Sequence, residues 1–173
     1  ESVLLLTFTR RAASEMLKRA PAVAPSAVAA HRVLGGTFHG VANRLLRMYS
    51  QAAGLPRDFT ILDSSDTEDL LDVVRNDLSY SRSEKRFPRK GTCAEIYSRR
   101  VNSEEKLESV LSKHFPWCAE WHSELKVLFR AYMERKRNLN LLDYDDLLLY
   151  WSFLLQDNEM AELVGAGFQH ILV

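Results

Sequence analysis

The segment Val3-Leu4-Leu5-Leu6-Thr7-Phe8 is apolar without alternation. A strand with one wet face alternates, so an unbroken run suits a strand covered on both faces, as in a parallel sheet. Parallel strands need crossover connections, usually helices. The next residues supply one. Thr9 suits a helix cap, and Ala12, Ala13, Met16 and Leu17 share one face of a helix over residues 10–19 that Pro21 ends. Residues 33–38 read as a second short strand. Residues 39–53 read as a second helix, with Val41, Leu45 and Met48 on a stripe and Gly54 as its stop. Ile171-Leu172-Val173 opens like a third buried strand. The expected fold class is therefore α/β, mostly α, with an incomplete parallel sheet.

Between the second helix and the last strand the pattern is helical. Ser65-Asp66-Thr67-Glu68 fits a capping box for a helix reaching about Leu78, and Thr92-x-x-Glu95 fits another. Ser103 suits the cap of a helix over residues 104–113. Pro116 suits the start of a long helix with Trp121, Leu125, Leu128, Phe129, Tyr132 and Met133 at helical spacing. Asp143-x-x-Asp146 opens a helix over residues 147–155, and a short helix covers 159–164. A helical subdomain inserted into an α/β domain gives this order. The expected division is residues 1–39 and 165–173 for the α/β part and 40–164 for the insert.

Lys plus Arg and Asp plus Glu both number 23, which by itself argues against a uniformly basic nucleic-acid binder. The balance hides a pattern. Residues 1–50 carry seven basic and two acidic side chains, residues 51–81 two and seven, residues 82–100 seven and two, and residues 101–173 seven and twelve. Two basic zones leave room for a phosphate-facing surface, although solvated faces alone also explain them. Two cysteines without CxxC spacing fit reduced cytosolic thiols better than a disulfide framework. No apolar run approaches the ~20 residues of a membrane span, so no membrane partner is expected. With no initiator Met and an apolar strand at each end, the chain reads as an internal piece of a longer one.

Two stretches carry candidate chemistry. Thr7-Phe8-Thr9-Arg10-Arg11 sits where a strand's carboxyl end meets a helix N-terminus, the place where α/β domains bind ligands. Backbone N–H groups there favour phosphate, an aromatic ring can stack on a base, and hydroxyls and guanidinium groups can hold a sugar-phosphate chain. A core Phe, a cap and two surface arginines explain the same residues. Gly36-Thr37-Phe38-His39-Gly40 repeats the arrangement, with an imidazole in place of the arginines. On neighbouring strands, about 4.8 Å apart, both sites would face one single strand of nucleic acid. A third candidate is the basic stretch around Lys85, Arg86 and Arg89, with Phe87 inside it.

TFTRRAASEM, GTFHGVANRLLR, FTILDSSD, LLDYDDLL and FQHILV, in this order, resemble the UvrD/Rep/PcrA group of superfamily 1 DNA helicases along nearly the whole chain. The first two resemble motifs Ia and Ib, which contact single-stranded DNA. FTILDSSD and LLDYDDLL resemble stretches of the inserted helical subdomain, and ILV resembles the strand leading into Walker B. The resemblance implies a RecA-like sheet and DNA-binding roles for Thr7, Phe8, Thr9, Arg10, Arg11, Thr37, Phe38 and His39. Many relatives have Asn at position 10 and Lys at position 11. It also implies that the insert lies near duplex DNA ahead of a fork, where Lys85, Arg86 and Arg89 would touch duplex phosphates, the alternative being a solvated loop. The implied parent is an ATP-dependent 3′-to-5′ DNA helicase or translocase of the bacterial cytoplasm and nucleoid. Its partners are single-stranded DNA, a single/double-strand junction and the remainder of the helicase.

No G-x-x-x-x-G-K-[ST] loop occurs, and the resemblance stops before the Asp-Glu that would hold Mg²⁺. ATP and Mg²⁺ are thus expected in the parent, and no cofactor, metal or catalytic residue in this piece. Asp143, Asp145 and Asp146 read as an acidic first turn, not a metal site. Cys118 and His122 lack the second pair that structural zinc needs. Trp117, Trp121, Phe129 and Tyr132 read as helix-packing core. The alternatives are a non-catalytic helical DNA-binding or interaction module and part of a helicase-nuclease subunit.

Overall fold

The first strand is held on both sides. In the computed structural model, which describes residues 2–23, 33–80 and 86–173, β1 (Val3–Thr7) pairs in parallel with β2 (Val33–Thr37) and with β5 (His170–Leu172), giving the order β2-β1-β5. The unbroken apolar run has its expected cause: Leu4, Leu5 and Leu6 are all buried. The helices α1 (Arg10–Val23) and α2 (Phe38–Met48) follow β1 and β2. α1 continues past Pro21 to Val23, and α2 stops at Met48, with Gly54 at φ +66° closing the turns that follow. Gly35 of β2 lets α1 approach closely. A Cβ there would lie 2.7 Å from Leu17 Cδ2 and 3.2 Å from Leu5 Cβ. The fold is mostly helical with a small parallel sheet, as expected.

The chain divides into two compact units, residues 1–58 with 146–173 and residues 59–145. The first holds the sheet, α1 and α2, most of α7 (Tyr144–Gln156), and α8 (Asn158–Gly165). Leu4, Leu6, Val41, Leu45 and Val164 form a core there, with Phe38 and Trp151 against it.

The second unit holds α3 (Ser64–Asp77), α4 (Lys90–Ser103), α5 (Leu107–His114) and α6 (His122–Asn138). Its short strands β3 (Thr60–Ile61) and β4 (Leu141–Leu142) pair in parallel, a sheet that the sequence pattern does not announce. Several local expectations are corrected. α3 is capped by Asp63, not Ser65. Asp63 Oδ1 accepts from Asp66 N at 2.9 Å, and Asp66 Oδ2 accepts in return from Asp63 N. Asp ranks with Ser as a cap and also adds charge favourable to the helix dipole. The box at Thr92 is absent because α4 starts earlier, at Lys90. α4 runs through Ser103 and ends at Glu104 in the left-handed region (φ 56°), so α5 begins only at Leu107. Residues 116–121 form a 3₁₀ turn before α6. Its three-residue period turns Cys118 and Trp121 inward and leaves Trp117 68% exposed, outside the expected core stripe.

Cys93 and Cys118 are free and buried. Burial pushes the Cys93 thiol up to about 12 and raises that of Cys118, so both stay protonated at neutral pH.

Asp143 is not part of an exposed acidic turn. It is buried, and its Oδ2 accepts from Lys136 Nζ at 2.6 Å and from the Tyr132 hydroxyl at 2.9 Å. Lys136 Nζ also lies 4.6 Å from the Tyr132 ring centroid and 5.1 Å from that of Tyr97. Burial and the Asp143 charge push the Tyr132 phenol well up, which keeps it a donor. Lys136→Met leaves a buried carboxylate without its cation and is expected to cost about 3–5 kcal/mol in urea unfolding. Lys136→Met with Asp143→Leu should recover most of that loss, because the doubly apolar site strands no charge.

Candidate nucleic-acid interface

β1 and β2 end in register. Thr7 lies opposite Thr37, so each strand delivers its next residues to the same sheet edge. Those residues are Phe8 and Phe38, with ring centroids 5.2 Å apart and planes tilted by 40°. The two rings differ in what covers them. Phe38 packs on the core of Leu4, Leu6, Val41 and Leu45. Phe8 is 83% exposed, held by its neighbour yet open on its other side. An exposed aromatic normally carries a hydration cost, and here the ring is left where a flat apolar partner could cover it.

Each strand end runs directly into a capped helix. Thr9 Oγ1 accepts from Ala12 N at 3.1 Å, and Thr37 Oγ1 accepts from Gly40 N at 3.1 Å. Both hydroxyls keep their own proton to donate outward. Arg10 and Arg11 are exposed in the first turn of α1, which has no acidic residue. His39 is half-buried in the first turn of α2 and already has an interaction partner. Thr7, Phe8, Thr9, Arg10, Arg11, Thr37, Phe38 and His39 thus gather at one sheet edge and the helix N-termini above it. Positive guanidinium groups, two helix N-termini and an open ring make that edge suited to an anionic, base-bearing chain.

The third candidate lies in the other unit. Arg86 and Arg89 are exposed, while Lys85 lies outside the described residues. Phe87 between them is buried, with its ring 4.9 Å from Tyr80 and 5.3 Å from Trp121. The next carbonyl, of Pro88, accepts from Arg75 Nη1 at 3.1 Å. A core anchor therefore holds the segment and leaves Arg86 and Arg89 outside. Among the described residues no group of three or more His, Cys, Asp or Glu gathers as for a metal, and no helix is long and apolar enough to cross a membrane. Sequence reasoning missed the inward role of Asp143, since an acid at a helix start looks the same whether it faces water or a buried lysine.

Comparison with known proteins gives one family. The model of the UvrD/REP helicase N-terminal domain matches residues 1–173. DNA helicase II of Haemophilus influenzae is 32% identical over 99% of this chain, which covers 23% of that protein. DNA helicase II of Escherichia coli is 33% identical over 86% of the chain and 19% of that protein. The ATP-dependent DNA helicase PcrA of Leuconostoc citreum is 30% identical over 89% of the chain and 20% of that protein. The chain spans about a fifth of the length of these relatives.

The two hydroxyl caps can be checked by stability. Thr9→Ala and Thr37→Ala should each cost about 1 kcal/mol in denaturant unfolding, while Thr37→Ser should cost much less because it keeps the acceptor.

Proposed function

The chain belongs to the UvrD/REP helicase N-terminal domain family, and on that basis we propose that it supplies single-strand DNA contacts and a helical insert to an ATP-dependent DNA helicase. The observation that carries this reading is the paired strand ends, with the Phe8 ring open beside Phe38. A base stacks on Phe8. The hydroxyls of Thr9 and Thr37, the guanidinium groups of Arg10 and Arg11 and the imidazole of His39 hold the flanking phosphates. Thr7 sets the register that keeps both ends level. Stacking is tolerant of sequence because every base has a π face, which suits a motor that must pass along any strand.

The parent enzyme uses ATP and Mg²⁺ bound by residues outside this chain, and moves 3′ to 5′ in the bacterial cytoplasm at the nucleoid. In it, ATP-driven closure draws the strand past Phe8 and His39. The chain itself contains no phosphate-cradling glycine loop, so alone it hydrolyses no ATP. Residues 1–39 and 165–173 are a part of the motor domain, and residues 40–164, which contain the helical unit, are its insert. Lys85, Arg86 and Arg89 touch duplex phosphates at the single/double-strand junction, a role supported by the outward placement of Arg86 and Arg89 around the Phe87 anchor.

Phe8→Ala in the parent enzyme should weaken single-strand DNA binding by about 1–3 kcal/mol with no shift in the unfolding midpoint, since the ring buries little. Unchanged affinity in a titration with labelled oligonucleotide would remove the stacking role. Charge reversal at Lys85, Arg86 and Arg89 together should flatten the salt dependence of junction binding, and an identical slope of log affinity against log salt would count against duplex contact.

A further inference from the structure

Two concavities of opposite sign lie in the helical unit. The larger, about 750 Å³, has Glu68, Glu95 and Asp145 in its lining against one cation, Arg99. The smaller, about 450 Å³, is bordered by Arg100 at the end of α4, Lys106 before α5, and Lys126 and Arg130 on α6. Several other cations of this unit are held in pairs, such as Lys90 with Asp69, Lys113 with Glu105 and Arg135 with Asp77. The four around the smaller groove are exposed, and among the described residues none is ion-paired. Lys126 and Arg130 stand one turn apart, about 6 Å along α6. Lys106 places no side-chain cap on α5, so the free N–H groups of that helix end add positive potential at the same place.

Between the cations the groove has an apolar part, formed by Met133, which is 44% exposed, beside the largely buried Leu107 and Phe129, and His122 completes the lining. A sugar-phosphate backbone gains nothing from that floor, whereas an apolar side chain buried there gains about 25 cal/mol per Å². Glu108 on the rim would repel a phosphate but can accept a backbone N–H from a peptide. At about 450 Å³ the concavity is of a size that takes a compact group.

We propose that this groove docks an acidic, amphipathic peptide segment of a partner protein, with carboxylates on Arg100, Lys106, Lys126 and Arg130 and an apolar side chain on Phe129 and Met133. The site is independent of the DNA-contacting sheet edge, so it stands or falls separately from that role.

The probe is a labelled peptide of about a dozen residues, built from Asp, Glu and Leu with the leucines at helical spacing, titrated against the 173-residue chain. A polyglutamate of equal charge and single-stranded and duplex oligonucleotides serve as competitors. The amphipathic peptide should bind and polyglutamate should bind more weakly. Lys126→Glu with Arg130→Glu should weaken the peptide about tenfold or more. Met133→Ser should weaken it several-fold, with both variants keeping the parent's circular dichroism and urea midpoint. Failure of the peptide to bind overturns the proposal, as does binding that neither variant alters. Polyglutamate binding as tightly would show the apolar floor idle and overturn it too. Oligonucleotides that displace the peptide and lose affinity with the same charge reversal would reassign the groove to nucleic-acid phosphates.

Discussion

Parallel pairing of β1 on both sides is the constraint from which the rest of the architecture follows. A strand in the middle of a parallel sheet has neighbours that run the same way, so the chain must travel back to the starting edge each time it adds one. The connection from β1 to β2 does this with α1, packed closely enough that Gly35 has no room for a side chain. The connection to β5 is far longer and carries the whole helical unit. The sheet also fixes the candidate DNA site. Because β1 and β2 are parallel and in register, their carboxyl ends lie level, and whatever follows each strand must appear on the same edge. Phe8 and Phe38 meet for that reason, and only the one with core beneath it is covered.

The helical unit has a different organising element. Its core of Leu, Ile, Val and aromatic side chains is ordinary, but it encloses Lys136 and Asp143. Two charges withdrawn from water are a poor source of net stability, and breaking the pair by removing one partner is costly. The lysine ammonium sits over two aromatic rings and bonds a carboxylate that also holds a tyrosine hydroxyl. Few arrangements of α6 and the segment after β4 satisfy all of these together. Apolar packing alone tolerates small slips, and this cluster does not.

Much of the fold and part of the site were legible because their signals are short-range. An unbroken apolar run, a hydroxyl before a helix and a repeated strand-to-helix junction each occupy a few consecutive residues. They led to β1, β2, the cap at Thr9 and the meeting of the two strand ends, whereas the cap at Thr37 shows only in the structure, because α2 starts one residue earlier than its pattern. What was not legible depends on distant residues. Asp143 looks like a helix-opening acid until Lys136, seven positions earlier, is seen to turn toward it. Asp63 and Ser65 are both good caps, and the choice between them was set by where β3 ended. Phe87 in a basic run looks exposed until Tyr80 and Trp121 close on it. The basic groove gathers residues from α4, the start of α5 and α6, and no window of sequence contains it.

The two-residue ladder of β3 and β4 has a mechanical meaning. The chain enters the helical unit through β3 and leaves it through β4, and the two lie side by side in parallel. Tension applied to the entering and leaving ends therefore pulls on opposite ends of the ladder. Its hydrogen bonds are loaded in shear, all at once, and not peeled one after another as in a hairpin. A ladder loaded in this way resists such tension with both of its residue pairs together.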